Sequence, residues 1–249
     1  MTIQRLRKAL ERRLQQFLLV RQLRIPFGII RYVVFRHILR NLNVWTEEGQ
    51  DHGKDVLNYN YKNISHSLIK HERLHHIIRP LVAIEDVNRR LPNLKTLSIG
   101  PRSEAELLLI AGYGFTWSNI RGLDLFSYCP RIDVGDMHDM RYENNSFDVI
   151  FLGWVLTYSQ NQERALKEIV RVIKPGGYIA FGNGYDSSLK DGEVQKDSYV
   201  GAKYRGNSVD ELFEPISENI DTMFFRHDIS KEMADKGQRA ILCVFSVKK

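Results

Sequence analysis

The fold of this chain is decided by the stretch that begins Leu94-Lys95-Thr96-Leu97-Ser98-Ile99-Gly100 and continues to Gly182. Short apolar runs recur along it, and each of the first four ends in a glycine or a carboxylate. Repeated strand-then-helix units predict a parallel sheet whose ligand lies at the carboxyl ends of the strands. We therefore expect one site to gather the residues that end these four runs: Gly100, Asp124, Asp136 and Gly153.

The later elements follow the same pattern. The second to fourth runs are Ile120-Arg121-Gly122-Leu123-Asp124, Ile132-Asp133-Val134-Gly135-Asp136 and Phe147-Asp148-Val149-Ile150-Phe151-Leu152. A helix predicted from Glu163 to Ile173 ends at Lys174-Pro175-Gly176-Gly177, and a fifth strand is predicted over 178–181. Two late strands are predicted at 222–226 and 240–247, and Ser208 has the capping-box spacing to Glu211.

The two strand-end aspartates have a chemical use in such a sheet. An acid placed like Asp124 accepts hydrogen bonds from ribose hydroxyls in doubly wound nucleotide-binding folds, and Asp136 could meet an adenine amino group. An acid at a strand end also commonly caps the next helix, so each aspartate alone is a weak signal. Together, in order and behind a glycine turn, they favour a nucleotide-type ligand.

Charge is distributed unevenly along the 249 residues. Residues 1–41 contain ten Lys or Arg and one acid, a net charge of +9, so the rest of this +6 chain carries −3. Two cysteines, Cys129 and Cys243, indicate a reducing compartment rather than a disulfide framework. We expect a cytoplasmic protein, and contact of its basic segment with the inner face of a membrane is one alternative.

The first 62 residues are interpreted as a basic amphipathic helical arm followed by a linker, and residues 63–249 as the main domain. Leu6, Leu10, Leu14 and Leu18 recur at helical spacing, and Pro26-Phe27-Gly28 is expected to break the helix. Three roles stay open for residues 1–41: peripheral membrane contact, packing on the body, or contact with a second copy in a homo-oligomer. Nucleic acid is a less favoured partner because the body is acidic.

Two motifs in the main domain resemble the class I S-adenosylmethionine-dependent methyltransferases of the methyltransferase type 11 kind. One is Gly135-Asp136-Met137-His138-Asp139-Met140 followed by Ser146-Phe147-Asp148-Val149-Ile150, and the other is the helix that ends in Lys174-Pro175-Gly176-Gly177. The resemblance implies an α/β fold with a doubly wound, mostly parallel, seven-stranded Rossmann-like sheet. It also implies an antiparallel C-terminal strand pair, with the arm as an N-terminal helical extension, and S-adenosylmethionine as the cofactor.

The resemblance also assigns roles by position. Gly100, Pro101 and Arg102 would contact the methionine part of the cofactor, and Asp124 and Leu125 would contact its ribose. Asp136 and Met137 would contact the adenine, and Gly153 and Trp154 would line the methyl-donor side of the pocket. The first turn departs from the family pattern, because Ser98 replaces an acid and Arg102 and Glu104 stand at two glycine positions. Glycine there permits positive φ and close backbone approach, whereas Arg102 could instead reach the carboxylate of the cofactor.

Methyl transfer from a sulfonium needs mainly in-line positioning of a nucleophile, and an oxygen nucleophile benefits from a general base. His138 and Tyr158 are the candidate catalytic residues, whereas Asn183, Tyr185 and Asp186 could touch the acceptor. No metal site and no Ser-His-Asp nucleophile are predicted. We expect O-methylation of a small molecule or glycan, with an acidic sugar as one acceptor class. The alternative, motivated by the altered first turn, is a non-catalytic methyltransferase-like scaffold or binding subunit.

Overall fold

The structure is a computed structural model that describes residues 3–45, 62–69, 72–159, 161–185 and 208–249. Within those ranges, none of the helices combines the length and the apolar character that crossing a bilayer requires. Residues 46–61, most of the predicted linker, lie outside the described part, and the boundary between residues 62 and 63 stays a prediction.

A seven-stranded sheet forms the centre of the protein, as the resemblance implied, and its strand order is β5-β3-β2-β6-β7-β9-β8. The first five strands of that order are mutually parallel, β9 runs antiparallel to β7, and β8 runs antiparallel to β9. The strands are β1 (Asn43–Val44), β2 (Thr96–Ile99), β3 (Ile120–Asp124), β4 (Phe126–Ser127), β5 (Ile132–Val134), β6 (Phe147–Gly153), β7 (Ile173–Gly184), β8 (Ile220–His227) and β9 (Ala240–Val247).

Helices cover both faces of this sheet. In chain order they are α1 (Ile3–Leu19), α2 (Arg21–Tyr32) with a π-helical continuation (Val33–Ile38), α3 (Ile64–Ile69), α4 (His75–Val82), α5 (Glu85–Arg90), α6 (Glu104–Gly112), α7 (Gln162–Val172), α8 (Val209–Phe213) and α9 (Lys231–Asp235). One core cluster contains residues of α1, α4 and α6, and the other contains residues of α7 and α8. The layers are therefore helix, sheet and helix, as expected for a doubly wound fold.

The Lys-Pro-Gly-Gly turn is accommodated as an irregular start to β7. Phe147 pairs with Ile173, and the next pair along β6 is Val149 with Tyr178. Between these two pairs β7 moves on by five residues and β6 by only two, so β7 carries extra residues at its start. Gly176 lies among them and takes a positive φ of 72°. The turn ends α7 at Val172 and still delivers the fifth parallel strand in register with β6.

Helix α6 is buried along its whole length, because the sheet covers one side and the N-terminal helices cover the other. A Cβ on Gly112 would lie 3.0 Å from the backbone carbon of Leu18, so α1 and α6 approach too closely for a larger residue there. Arg31 of α2 makes a bidentate ion pair with Glu104 at the start of α6, with nitrogen–oxygen distances of 2.7 and 2.8 Å. The basic helices thus pack on the body of the protein.

The break between the two N-terminal helices was placed wrongly by the sequence. It lies at Val20, and Pro26 stands inside α2. The guanidinium of Arg24, almost fully buried, donates hydrogen bonds to the carbonyl oxygens of Leu18 and Leu19. These are among the last carbonyls of α1, which lack partners inside the helix, so a side chain from α2 caps α1 and fixes the corner between them.

Candidate functional site

The four strand ends predicted to share a site do lie along one edge of the sheet. Ile99 is in register with Leu123 on one side and with Leu152 on the other, and Asp124 is in register with Val134. Gly100, Asp124 and Gly153 therefore lie at the carboxyl ends of adjacent parallel strands, with Asp136 two residues beyond the end of β5. In an open α/β sheet this edge is where ligands bind.

The first turn keeps a glycine-like conformation without the expected glycines. Gly100 has φ of 68°, and a Cβ there would collide with the side chain of Val155. Arg102, at a position where the resemblance implies glycine, also takes a positive φ of 52°. Its backbone N–H donates to Oδ2 of Asp124 at 2.8 Å, which ties the strained residue to the end of the neighbouring strand.

Asp124 is buried at the centre of this edge. Its Oδ1 accepts the backbone N–H of Leu125 at 2.8 Å, and its Oδ2 accepts that of Arg102. Burial raises the pKa of Asp124 to about 6, although these backbone hydrogen bonds act in the opposite direction. A carboxylate has about four acceptor positions, so the two oxygens can still accept hydrogen bonds from a pair of ligand hydroxyls.

Glu106, which the sequence analysis missed, is a second buried carboxyl on the same edge. It lies in the first turn of α6 with 7% of its surface exposed, and Oε2 would be 4.0 Å from a Cβ on Gly153. Burial raises its pKa to about 8; the charges of Arg73 and Arg102 oppose that rise, and Asp124 adds to it. Glu106 makes no hydrogen bond within the described residues, so it is a carboxyl available for a cationic ligand group.

An arginine and an indole ring lie beside the end of β6. The guanidinium of Arg73 is 5.0 Å from the ring centroid of Trp154. Trp154 has φ of 58°, and its backbone N–H donates a hydrogen bond to the carbonyl oxygen of Gly182 at 2.7 Å. Because a Cβ on Gly182 would lie 2.8 Å from the Trp154 ring, glycine is required for the ring to pack on β7.

The structure brings together an Asp136–His138–Ser159 chain that the sequence did not reveal. His138 Nδ1 lies 2.5 Å from Oδ1 of Asp136, and Nε2 lies 2.7 Å from Oγ of Ser159. The sequence gives no sign of this contact, because 21 residues separate His138 from Ser159. Ser159 is nevertheless 2% exposed and accepts the N–H of Asn161, so its oxygen is enclosed and the chain is structural.

This arrangement leaves His138 poorly placed for the catalytic role that was predicted. Both of its ring nitrogens are engaged, so neither is open to take a proton from an acceptor. Burial would raise the pKa of Asp136, but the side-chain and backbone hydrogen bonds from His138 outweigh it and hold that pKa below its usual range. Tyr158 lies half-buried in the turn after β6, and its catalytic role stays a prediction.

The remaining predicted residues surround the same edge. Pro101 is buried, while Leu125 and Met137 are half-buried, and the carbonyl of Leu125 accepts the N–H of Trp45 at 2.7 Å. This bond continues the pairing of β1 with β4, which brings the end of the N-terminal region next to the predicted ribose site. Asn183 is buried at the end of β7, whereas Asp186 lies outside the described residues.

Over the described ranges, no cluster of three His, Cys, Asp or Glu residues could hold a metal. The ring of His75 contacts the hydroxyl of Tyr113 at 2.5 Å. The two cysteines are free and buried, and burial raises the pKa of Cys129 to about 12, so neither is an activated nucleophile.

Several polar atoms of this region are buried with no hydrogen-bond partner in the described part of the chain: Trp45 Nε1, Ser98 Oγ, Ser103 Oγ and both amide atoms of Asn183. Such atoms cost about 1–3 kcal/mol each unless something satisfies them. An adenosine with an amino-acid tail offers hydroxyls, an ammonium and a carboxylate, which suit Asp124, Glu106 and Arg102, respectively. The residues present therefore fit S-adenosylmethionine.

Comparison with known proteins agrees with this fit. The family described as a methyltransferase domain matches residues 115–181. The sterol 4-C-methyltransferase strm-1 of Caenorhabditis elegans is 36% identical over 66 residues, which cover 24% of this chain and 20% of that protein. The chain thus spans about a fifth of the length of this curated relative.

Solved structures share the fold at low sequence identity. A chain from the Haloferax volcanii complex of the Trm112 methyltransferase activator with a methyltransferase has a TM-score of 0.55 at 14% identity, covering 79% of this chain and 97% of that one. The N-methyltransferase NodS of Bradyrhizobium japonicum, solved with S-adenosyl-L-homocysteine, has a TM-score of 0.50 at 15% identity, with coverages of 80% and 98%. Residues 115–181 thus match the methyltransferase domain family, and the described part of the chain shares the fold of these solved structures.

Proposed function

We propose that the protein transfers a methyl group from S-adenosylmethionine to a hydroxyl oxygen of a small molecule or glycan, with acidic sugars as the acceptor class. The observation that carries the acceptor class is the pair formed by Arg73 and Trp154 beside Gly153. An indole ring gives a flat apolar surface for a sugar ring, and a guanidinium binds a carboxylate in a two-pronged fashion.

The residues of the edge divide between the two ends of the cofactor. Asp124 has acceptor positions for the ribose hydroxyls, and Glu106 offers a carboxylate to the α-ammonium of the methionine part. Arg102, half-buried beside both acids, is the counterpart for the carboxylate of the methionine part. When bound, S-adenosylmethionine supplies an electrophilic methyl group on sulfur, and what the protein adds is the alignment of the acceptor hydroxyl.

The first experiment is calorimetric titration of the protein with S-adenosylhomocysteine. Asp124→Asn should lower the affinity by about tenfold or more, because a hydrogen bond to a charged group contributes about 1.5–3 kcal/mol. Asp235→Asn, which changes an exposed acid on α9, is the matched control and should bind like the wild type. Failure of the folded wild-type protein to bind would remove the enzyme proposal and favour the non-catalytic scaffold.

The acceptor is tested by transfer of a labelled methyl group to a panel of uronic acids, matching neutral sugars and sterols. Arg73→Met should lower kcat/KM for an acidic sugar by about tenfold, and it should change kcat/KM for the neutral counterpart by much less. Sterols belong in the panel because the curated relative is named as a sterol 4-C-methyltransferase. Transfer to a sterol carbon, or equal losses with both sugars, would contradict the proposed acceptor class.

A further inference from the structure

Helix α2 has an exposed apolar side in addition to the side that packs on the body of the protein. The side that faces the body includes Arg24 and Gly28, both buried, and Arg31, which reaches Glu104. Phe27 and Tyr32 also pack against the core from this side. The opposite side carries Leu23, Ile30 and the following Val33, which are 44%, 60% and 43% exposed. In an ordinary surface helix the side that faces water is polar, so this exposed apolar side is unusual.

Exposed apolar residues also occur in α1 and in the segment after α2, and we call the whole set the N-terminal apolar surface. Ten large apolar side chains between residues 10 and 39 are exposed: Leu10, Leu14, Leu19, Val20, Leu23, Ile29, Ile30, Val33, Ile38 and Leu39. Elsewhere in the described ranges, Val44, Ile69 and Phe224 are the other exposed residues of this kind. Such a concentration marks an interaction surface, because single exposed apolar residues are normally scattered.

Positive charge accompanies this surface. The net charge of +9 over residues 1–41 contrasts with −3 for the rest of the chain, and Arg12, Arg13 and Arg40 are exposed. Exposed leucines, isoleucines and valines next to arginines have the composition of helices that lie in the plane of a membrane interface. The apolar groups enter the acyl boundary there, while the arginines meet anionic head groups.

We propose that the N-terminal apolar surface rests on the face of an anionic lipid bilayer and holds the protein there as a peripheral membrane protein. Charge complementarity selects this occupant over a second copy of the chain, because a second copy would bring an equally basic surface against the first. The inference does not rest on the proposed acceptor, since binding to lipid can be measured without cofactor or acceptor.

The test is flotation of the full chain with vesicles of phosphatidylcholine alone and of phosphatidylcholine mixed with phosphatidylserine. The wild type should bind the mixed vesicles about tenfold or more strongly than the neutral ones. The triple variant Leu23→Ser, Ile30→Ser, Val33→Ser should lose about tenfold or more of the binding to mixed vesicles, because it removes the apolar groups that enter the acyl boundary. Phe224→Ser, at an exposed apolar site on β8, is the matched control and should bind normally.

All four substituted positions are exposed, so the variants should keep the wild-type melting temperature and circular dichroism spectrum. Equal binding of the wild type and the triple variant to mixed vesicles would overturn the proposal, as would no binding by the wild type. Sedimentation analysis supplies the remaining outcome. A wild-type dimer that the triple variant converts to a monomer would assign the N-terminal apolar surface to a second copy and would likewise overturn the membrane proposal.

Discussion

Replacing Glu106 by glutamine should change how the stability of the protein depends on pH. The carboxyl of Glu106 is buried beside Leu74 and Gly153, and burial, opposed in part by Arg73 and Arg102, raises its pKa from the ordinary 4.5 to about 8. Between these two pH values the folded protein binds a proton that the unfolded chain has released. The contribution of Glu106 to stability is therefore complete below pH 4.5 and is lost as the pH rises through about 8.

The magnitude follows from the difference between the two pKa values. The pKa of Glu106 differs by about 3.5 between the folded and unfolded states. One pKa unit corresponds to about 1.36 kcal/mol, so the difference amounts to roughly 5 kcal/mol of free energy of unfolding, an upper bound for a fully buried group. Glutamine has the shape of the protonated acid and cannot ionise. Glu106→Gln should thus match the wild type near pH 5 and exceed its free energy of unfolding by several kcal/mol at pH 9.

The assay is urea unfolding without cofactor at several values between pH 5 and pH 9, for the wild type and Glu106→Gln. Glu218→Gln changes an exposed acid and should follow the wild-type curve at every pH. The raised pKa of Asp124 contributes to all three curves, and its repulsion of an ionised Glu106 forms part of the difference between the wild type and Glu106→Gln. Curves for the wild type and Glu106→Gln that stay parallel over this range would refute the argument that burial keeps Glu106 protonated.

Two further predictions concern the same region of the protein. If the ammonium of the cofactor pairs with Glu106, binding of S-adenosylhomocysteine at pH 7 should release nearly one proton from the wild type and none from Glu106→Gln. Calorimetry in buffers of different ionisation enthalpy would measure this release. Equal release by both proteins would contradict the pairing. Arg31→Met should cost about 3 kcal/mol of stability because it leaves the fully buried Glu104 without its counter-charge, and adding Glu104→Gln should recover most of that loss in thermal unfolding. A double variant no more stable than Arg31→Met would show that the charge of Glu104 is not the cause.

The sheet could be predicted from sequence because its signals are local. Each apolar run ends in a glycine or an acid, and the carboxyl ends of parallel strands must meet at one edge, so the positions of Gly100, Asp124 and Gly153 followed directly. The conformation of Arg102 also agrees with the local argument, because a position that favours glycine does take a positive φ here.

What could not be predicted depends on contacts between distant parts of the chain. Glu106 lies in a helix whose sequence gives no sign that Arg73 will pack near it. The break at Val20 depends on Arg24, whose guanidinium reaches back to carbonyls of α1, and a proline alone did not end the helix. Likewise His138 is held by Ser159, a pairing that only the folded chain brings about.

The order in which the chain is synthesised gives the ion pair between Arg31 and Glu104 another consequence. These residues are 73 positions apart, so α2 is complete long before the α6 residues against which it packs have been made. At a translation rate of about 5–20 residues per second, the interval is roughly 4–15 s. Throughout that time the apolar residues of α1 and α2 lack the α6 residues on which they pack in the folded protein, so slower translation between residues 31 and 104 would prolong their exposure.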